Sequence, residues 1–361
     1  MPRKALIRER AAQLRAVFEA AGAAPVETSI LQPAEVLLDL YGEDIRARAY
    51  VTSDALRGEQ MLRPDFTVPV VQMHMEHGAE PARYTYAGEV FRQQEDDPSR
   101  ASEYFQVGYE VFDRQNPAAA DAEVYAQIHG AVSHLNLRAA TGDIGILKAA
   151  IEGLETTERR KNALARHIWR PRRFRALLDR FANRSEPPAS RTALLSHANP
   201  MELAGNVIGA RSAHEIEDRI AALREDAEAA PISAVQVDLI DAILNVRETL
   251  PFALEQLRDI AVDMPAISGA VSCLHDRIEA LTARGIDTDT LEFEGSYGRT
   301  QMEYYDGFVF GFYAGVRPDL PALASGGRYD ALTRVLGQGN AIPAVGAVIR
   351  PELVVQLEAE L

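Results

Sequence analysis

Apolar and polar positions follow two different periods in the first third of the chain. Residues 3–21 place apolar side chains on one face of a helical repeat, and the repeat stops at Gly22. Between residues 48 and 110 the pattern changes to short β-rich runs separated by glycine, proline, aspartate and serine. These runs cover residues 49–52, 60–63, 83–91 and 104–112. The pattern therefore predicts an amphipathic helix followed by a meandering antiparallel sheet.

The middle of the chain is patterned differently from both ends. A helix is predicted for residues 118–135, and from 147 to 284 alanine, leucine, glutamate and arginine dominate between recurrent proline breaks. Strand signals return at residues 291–293 and 307–313, and a helical run closes the chain at 351–361. A sheet begun before the helical segment and finished after it implies one discontinuous domain, since the late strands would otherwise leave open edges.

We therefore predict an α+β fold in which an antiparallel sheet is flanked by helices. The sheet domain is expected to comprise residues 1–150 and 288–361, with a helical insertion at residues 151–287. A hydrophobic fraction of 47% over 361 residues is sufficient for a substantial core.

Composition excludes several classes of protein. No window approaches the roughly 20 apolar residues of a membrane span, so we expect a cytoplasmic protein with no membrane contact. The single cysteine, Cys273, excludes an internal disulfide, and we expect it in the core. The eight histidines show no paired metal-ligand spacing, so no metal site is expected.

The charge distribution disfavours nucleic acid as a partner. The formal net charge of −15 repels phosphate backbones, so only a strong local basic patch could bind them. The best candidate patch consists of Arg170, Arg172, Arg173 and Arg175. No aromatic residues are interleaved for base stacking, and we expect this patch to be a solvated helix face or a salt-bridged protein contact.

Two consecutive runs carry the strongest motif in the sequence. Residues 83–92 (RYTYAGEVFR) and 103–110 (EYFQVGYE) predict two antiparallel strands joined by a long polar loop. Alternation along the second strand directs Gln106, Gly108 and Glu110 at one cleft, and Gly108 is expected to leave that cleft open for a ligand. The pair resembles motif 2 of class II aminoacyl-tRNA synthetases in its histidyl form.

Three further segments extend the resemblance in the order of that family. Residues 62–67 (LRPDFT) are similar to its L-R-P-E-G-T segment, residues 303–305 (EYY) to the end of R-G-L-D-Y-Y, and residues 325–330 (SGGRYD) to A-G-G-R-Y-D. Four ordered matches are more specific than any one of them. The resemblance implies a class II aminoacyl-tRNA synthetase-like sheet and a histidine ligand.

The resemblance and the chemistry of histidine together assign roles to the matched positions. An ammonium group needs anionic or polar acceptors, both ring nitrogens need polar partners, and the carboxylate needs a donor. Candidates are Asp65, Thr67 and Gln106 for the ammonium group, Glu110 and Tyr305 for the imidazole, Arg92 for the carboxylate, and Tyr304, Arg328 and Tyr329 from the two histidine motifs. Each tyrosine taken alone is better interpreted as a half-buried strand aromatic.

The arginines that stabilise adenylate formation in that family are depleted here. The catalytic arginine of R-G-L-D-Y-Y falls on Thr300, although a one-residue bulge could substitute Arg299. In motif 3, Leu353 stands where the ATP-binding arginine belongs, and Arg350 and Pro351 alter the preceding backbone. No catalytic residue and no cofactor are therefore expected.

Motif 2 also differs from the family's pattern in ways that disfavour binding of ATP and tRNA. Gln94 replaces a glutamate, and the following acidic loop, residues 95–97 (EDD), would repel ATP and the tRNA acceptor end. Phe66 replaces a ligand-side glycine. The chain ends shortly after motif 3, so we expect no anticodon-binding domain and no tRNA partner.

A pocket for histidine without adenylation groups resembles the regulatory subunits of ATP phosphoribosyltransferase. The resemblance implies a short-form catalytic subunit as partner in the first step of histidine biosynthesis, with histidine as the feedback effector. Class II domains pair through motif 1, so residues 18–38 are expected to form at least a homodimer within a hetero-oligomer. The alternatives are a histidine-activating enzyme, a synthetase-like protein modifier and an unliganded scaffold.

Overall fold

The first helix follows directly from the spacing of its apolar residues. The computed structural model describes residues 4–41, 48–93, 101–203, 209, 211–299 and 304–360. Helix α1 (Lys4–Ala20) buries Ile7, Ala11, Leu14 and Phe18, which lie three or four residues apart on one face. It ends just before Gly22, whose φ of 95° is a left-handed conformation that favours glycine. The predicted helix and its end are confirmed.

Two sheets are formed by the strands. In chain order these are β1 (Ala24–Pro25), β2 (Leu31–Pro33), β3 (Val51–Asp54), β4 (Gly58–Leu62), β5 (Ala82–Phe91), β6 (Glu103–Phe112), β7 (Arg138–Asp143), β8 (Arg247–Thr249), β9 (Glu292–Glu294), β10 (Phe308–Tyr313), β11 (Ala324–Arg328) and β12 (Ala344–Ile349). The large sheet has the order β1-β5-β6-β12-β11-β10-β7-β9-β8, and β2-β4-β3 form a separate small sheet. Only β1–β5 and β7–β9 are parallel among these pairs.

The order of the large sheet confirms the predicted α+β architecture. β12, β11 and β10 lie between β6 and β7, so strands from both ends of the chain alternate within one sheet. β5 and β6 pair over their whole length, from Ala82 with Phe112 to Phe91 with Glu103. The runs predicted at 49–52 and 60–63 do form strands, but they belong to the small sheet.

The helices are distributed over both faces of the large sheet and over the middle of the chain. After α1 they are α2 (Ala34–Tyr41), α3 (Thr67–His77), α4 (Pro117–Val132), α5 (Ile144–Glu152), α6 (Glu158–Arg166), α7 (Pro171–Phe181), α8 (Ala189–Ser196), α9 (Ala213–Glu228), α10 (Ala234–Asn245), α11 (Leu250–Asp263), α12 (Ser268–Ala283), α13 (Asp330–Leu336) and α14 (Pro351–Glu358). Phe18 of α1 packs on Tyr109, and Tyr109 donates a 2.6 Å hydrogen bond to Glu123 of α4. Odd-numbered residues of β6 therefore face α1 and α4, and even-numbered residues face the other side.

The segment predicted as a helical insertion contributes directly to the large sheet. β8 pairs with β9 at the sheet edge, and Arg277 of α12 forms ion pairs with Asp121 of α4 and Asp143 of β7. The division of the chain at residues 150 and 287 stays a prediction. These contacts favour an earlier end of the insertion, near Val246.

A largely buried ionic network on the α4 face joins α4, α12, β7 and β11 and extends to the first residue of α13. Asp121 accepts hydrogen bonds from Arg277 Nε at 2.8 Å and from Arg328 Nε and Nη2 at 3.0 and 2.7 Å. Arg277 Nη1 also donates to Asp143, and Arg328 Nη1 donates to Asp330. Asp121, Arg277 and Arg328 are at most 8% exposed. α4, α12, β7 and β11 are thereby connected through charged groups.

The predictions for Cys273 and for the arginine patch have different outcomes. Cys273 was expected in the core, but it is exposed on α12, because the buried face of that helix carries Val271 and Leu274 instead. In the arginine patch, Arg175 forms ion pairs with Asp241 and Asp179, which is a salt-bridged contact of the kind that the sequence indicated. No described helix combines the length and apolar character that crossing a bilayer requires.

Replacing Asp121 by alanine is expected to destabilise the fold by about 3–5 kcal/mol, because two buried guanidinium groups then lose their shared carboxylate. Chemical denaturation measures this free energy of unfolding. Asp319→Ala is the matched control, since Asp319 also accepts two hydrogen bonds from an arginine but is exposed, and its removal is expected to change stability far less. Equal effects of the two substitutions would contradict the structural role of the network.

Candidate ligand-binding site around Glu110

Glu110 lies near the C-terminal end of β6 on the face opposite α1 and α4, and it is fully buried. Its Oε1 accepts hydrogen bonds from Thr67 Oγ1 at 3.0 Å and from Tyr86 OH at 2.8 Å. Its Oε2 accepts a hydrogen bond from Tyr329 OH at 2.6 Å. Thr67 begins α3, Tyr86 lies on β5, and Tyr329 follows β11. Elements from both ends of the chain therefore converge on one carboxylate.

Two glycines provide the space in which these side chains meet. In the sheet register Glu110 pairs with Gly346 of β12, which pairs with Gly327 of β11. A Cβ atom on Gly346 would lie 1.3 Å from Glu110 Oε2, and one on Gly327 would lie 2.8 Å from Tyr305 Cδ1. The carboxylate and the Tyr305 ring thus occupy the volume that side chains would otherwise fill.

The electrostatics of Glu110 reflect its burial. Loss of solvation raises its pKa to about 7, the three hydroxyl donors lower it, and the nearby Asp65 raises it further. A carboxylate offers about four lone-pair sites, and Oε1 already accepts two hydrogen bonds whereas Oε2 accepts one from the described residues. One acceptor position on Oε2 therefore remains for a ligand N–H group.

Asp65 lies close to Glu110, and Gln106 adds a further acceptor on the same face of β6. Asp65 is 3% exposed, and its Oδ1 accepts a hydrogen bond from Val68 N at 3.3 Å. Its charge raises the pKa of both Glu110 and Tyr305, so it lies close to both groups. Gln106 is 2% exposed, and its Oε1 has no hydrogen-bond donor among the described residues. A buried acceptor without a donor can accept a hydrogen bond from a bound molecule such as water or a ligand.

Arg92 and two tyrosines border the same group. Arg92 follows β5, and its Nε donates to Pro64 O at 2.7 Å. Burial raises the pKa of Tyr305, whereas the charge of Arg92 lowers it, which places the guanidinium near that hydroxyl. The Tyr304 and Tyr305 rings are 5.0 Å apart and their side chains are hydrogen-bonded, and the Tyr304 ring lies 6.1 Å from Tyr329. The structure therefore brings Asp65, Thr67, Arg92, Gln106, Glu110, Tyr304, Tyr305 and Tyr329 to one region.

Arg328 is the predicted site residue that the structure does not bring to this region. Alternation along β11 turns it to the face opposite Gly327, where its guanidinium contacts Asp121, Asp330 and the carbonyl of Pro117. Its donors are used in the buried network. Arg328 therefore holds the strand that carries Tyr329 and does not contact the ligand region itself.

The cleft that Gly108 was expected to leave open is filled by Tyr86. A Cβ atom on Gly108 would lie 2.0 Å from Tyr86 Cζ, so the glycine accommodates this ring rather than a ligand. Phe66, at the position of a ligand-side glycine, stacks on Tyr86 with ring centroids 4.3 Å apart, and the Arg63 guanidinium lies 3.9 Å from the Phe66 centroid. Tyr86 was not predicted as a site residue. Its pairing with Gly108 across the two strands is the sequence signal that identifies it.

The groups expected for adenylate chemistry are arranged differently. Arg299 donates its Nε to Ile168 O at 2.9 Å and lies 4.8 Å over Phe174, so it is directed towards the helical segment. Arg350 precedes α14, and its guanidinium lies 5.2 Å from the Tyr104 ring. The predictions made for Thr300, Glu303, Gln94 and residues 95–97 lie outside the described residues.

Comparison with known proteins places this geometry in a family. The family model described as histidyl-tRNA synthetase matches residues 1–242 and 217–354. A solved structure from Bacillus halodurans, described as an ATP phosphoribosyltransferase regulatory subunit/histidyl-tRNA synthetase, has a TM-score of 0.69 at 20% identity and covers 98% of this chain and 79% of that one. A histidine–tRNA ligase subunit from Alicyclobacillus acidocaldarius has a TM-score of 0.60 at 22% identity, covering 99% and 94%. These likenesses show the fold.

Curated relatives are similar over nearly their whole length. A protein of Brucella anthropi is 32% identical over 357 residues, which cover 92% of this chain and 93% of the relative. One of Brucella ovis is 32% identical over 353 residues, with coverages of 92% and 93%. Both are described as ATP phosphoribosyltransferase regulatory subunits. The chain therefore belongs to the family of ATP phosphoribosyltransferase regulatory subunits, which is built on the histidyl-tRNA synthetase fold.

Proposed function

We propose that this chain binds free histidine at Glu110 and, in the cytoplasm, transmits feedback inhibition to a short-form ATP phosphoribosyltransferase catalytic subunit. The observation that carries the proposal is the acceptor-rich centre of the pocket. Glu110 has one acceptor position left, Gln106 Oε1 has no described donor, and Asp65 adds a second buried carboxylate. Such a centre favours a ligand with several N–H donors and a positive charge.

Histidine matches this distribution of groups. Its ammonium group would bind Asp65, Thr67 and Gln106, and an imidazole N–H would donate to Glu110 Oε2. Its carboxylate would face Arg92, which lies at the same end of the site as Tyr305. The hydroxyls of Tyr86 and Tyr329 orient Glu110 before the ligand arrives, so binding does not need to order that carboxylate.

We further propose that the chain has no aminoacylation activity of its own. Leu353 is hydrophobic where the family's ATP-binding arginine belongs, and Arg299 contacts Ile168 and Phe174 instead of the ligand region. The developing charge on an α-phosphate would therefore lack those guanidinium groups. This argues against the histidine-activating enzyme and against a modifier that uses ATP. No tRNA partner is proposed.

A homodimer within the hetero-oligomer is supported by the surface near motif 1. The small sheet and the segment before it expose apolar side chains, which is unusual for a solvated edge. These are Ile30, Leu31, Tyr50 and Val51, between 37% and 45% exposed.

Regulation then requires that histidine bind one arrangement of the assembly more tightly than another, and a coupling free energy of about 1–3 kcal/mol is sufficient.

Replacing Glu110 by glutamine is expected to weaken histidine binding by about 1–3 kcal/mol, because a charged acceptor for the imidazole N–H is lost. Isothermal titration calorimetry at pH 8 measures the affinity. Glu103→Gln is the matched control, since it makes the same change at the exposed end of the same strand, and it is expected to leave the affinity unchanged. Unaltered binding by the Glu110 variant would remove this residue from the site.

The difference in free energy of unfolding between the wild type and Glu110→Gln is expected to depend on pH. Because burial raises the pKa of Glu110 to about 7, the folded wild type retains a proton that the unfolded chain loses at lower pH. The free energy of unfolding of the wild type therefore falls relative to that of Glu110→Gln as the pH rises from the ordinary pKa of a glutamate side chain to about 7. Above that pH the difference is constant. Denaturation of both proteins between pH 4.5 and pH 8 measures it. A difference independent of pH would contradict the raised pKa.

The purified chain is expected to show no histidine-dependent exchange of pyrophosphate into ATP, because the arginines for adenylate formation are absent or directed elsewhere. A histidyl-tRNA synthetase serves as the positive control. The double variant Thr300→Arg, Leu353→Arg is expected to remain far below that control, since Gln94, Phe66 and Pro351 are unchanged. Wild-type exchange above the histidine-free background would refute the non-catalytic assignment.

Replacing Tyr305 by alanine is expected to raise, by about tenfold or more, the histidine concentration that halves phosphoribosyl-ATP formation by the reconstituted complex, because one imidazole partner is lost. Tyr305→Phe keeps the ring and is expected to have a smaller effect. Tyr313→Ala is the control, since Tyr313 pairs with Tyr297 elsewhere on the sheet. If Tyr305→Ala leaves the midpoint unchanged, histidine acts at another site and the feedback role fails.

A further inference from the structure

A cavity of about 980 Å³ lies within the helical segment, between α6, α7, α8 and α9. This volume is at the upper end of the range typical of small-molecule sites, about 300–1,000 Å³. Its charged lining is dominated by arginine. The lining arginines are Arg159, Arg160, Arg180, Arg191 and Arg219.

Asp226 occupies the centre of the arginine group. Its Oδ1 accepts a hydrogen bond from Arg160 Nε at 2.6 Å, and its Oδ2 accepts one from Arg191 Nη2 at 2.6 Å. Arg160 also donates to the backbone carbonyls of Ala230 and Asp226, which fixes its orientation. One carboxylate therefore serves two guanidinium groups, both of whose side chains are at most 15% exposed.

Arg180 is the third guanidinium group of this centre, and no carboxylate among the described residues forms an ion pair with it. Its Nε is buried and has no hydrogen-bond partner within the described part of the chain, and the group lies 4.9 Å from the Phe181 ring centroid. Burial lowers its pKa, Asp226 raises it, and the charges of Arg191 and Arg160 lower it again. The four side chains carry three positive charges and one negative charge, a net charge of +2.

The local excess of positive charge in the cavity contrasts with the negative net charge of the whole chain. The whole chain has a formal net charge of −15, so a cluster of arginines around a single carboxylate is not explained by average composition. At the rim the charges are closer to balance, because Arg159 lies 3.7 Å from Glu225 and both are exposed. The imbalance is therefore concentrated inside the cavity, where charges are screened least.

We propose that this cavity binds the phosphate group of a small phosphorylated metabolite. A phosphate dianion matches the net charge of +2, and its oxygens suit the planar donor forks of Arg180 and Arg191. The cavity is far larger than a phosphate ion, so it leaves room for the rest of the molecule. Glu110 and Asp65 favour a cationic ligand, so the cavity is a second site of opposite charge preference.

Calorimetric titration of the full-length protein with inorganic phosphate and with pyrophosphate, at constant ionic strength, tests the proposal. We expect saturable binding of both anions, with pyrophosphate the tighter. Arg180→Gln is expected to weaken pyrophosphate binding at least tenfold, and Arg180→Lys is expected to recover part of the loss. Arg184→Gln is the matched control, because Arg184 lies nearby outside the cavity and pairs with Asp238.

Thermal unfolding verifies that each variant is folded, and Arg191→Gln provides a second test if Arg180→Gln is not. Pyrophosphate binding is expected to be unchanged in Glu110→Gln, which separates this site from the proposed histidine pocket. The proposal is overturned if neither anion binds, or if Arg184→Gln weakens binding as much as Arg180→Gln does. Binding of a hexaglutamate peptide without binding of pyrophosphate would also overturn it, in favour of an acidic segment of a protein partner.

Discussion

The burial of one carboxylate, Glu110, constrains the arrangement of the elements around it. A charged group without solvent needs donors at fixed positions, and these come from α3, β5 and the end of β11. The neighbouring strand must also approach without a side chain, which Gly346 permits. The interleaved order of the sheet, in which β12 and β11 follow β6, is what makes this convergence possible.

The two faces of the large sheet carry different arrangements of buried charged groups. On the α4 face, Asp121 and Asp143 balance the charges of Arg277 and Arg328 and join helices to strands. On the other face, the printed donors to Glu110 among the described residues are neutral hydroxyl groups, and burial raises the pKa of Glu110 to about 7. A group whose charge is costly without a ligand is characteristic of a binding site, whereas a neutralised network is characteristic of a structural one.

The periodic elements were predictable from the sequence, but the central strands were not. β5 and β6 carry aromatic and β-branched residues, and α1 carries a clear helical repeat, so local preference agrees with the fold. β11 (ASGGR) consists largely of small residues with weak strand preference, and in β12 (AVGAVI) alanine and glycine separate the β-branched residues, so tertiary packing contributes to both strands. Most residues taken from the motifs lie on the Glu110 face of the sheet, but a motif does not distinguish sheet faces without the strand register, so Arg328 was included and Tyr86 was not.

The contact between Glu110 and Gly346 also limits the routes by which this pocket could change its ligand. A side chain at position 346 would force Glu110 Oε2 to move, since a Cβ atom there would overlap it, and the hydrogen bond from Tyr329 would be broken. Shortening Glu110 first would leave Thr67, Tyr86 and Tyr329 without their common acceptor. Divergence at this pair would therefore pass through an intermediate with weakened hydrogen bonds in either order, and positions 110 and 346 are expected to vary together among proteins that have acquired a different specificity.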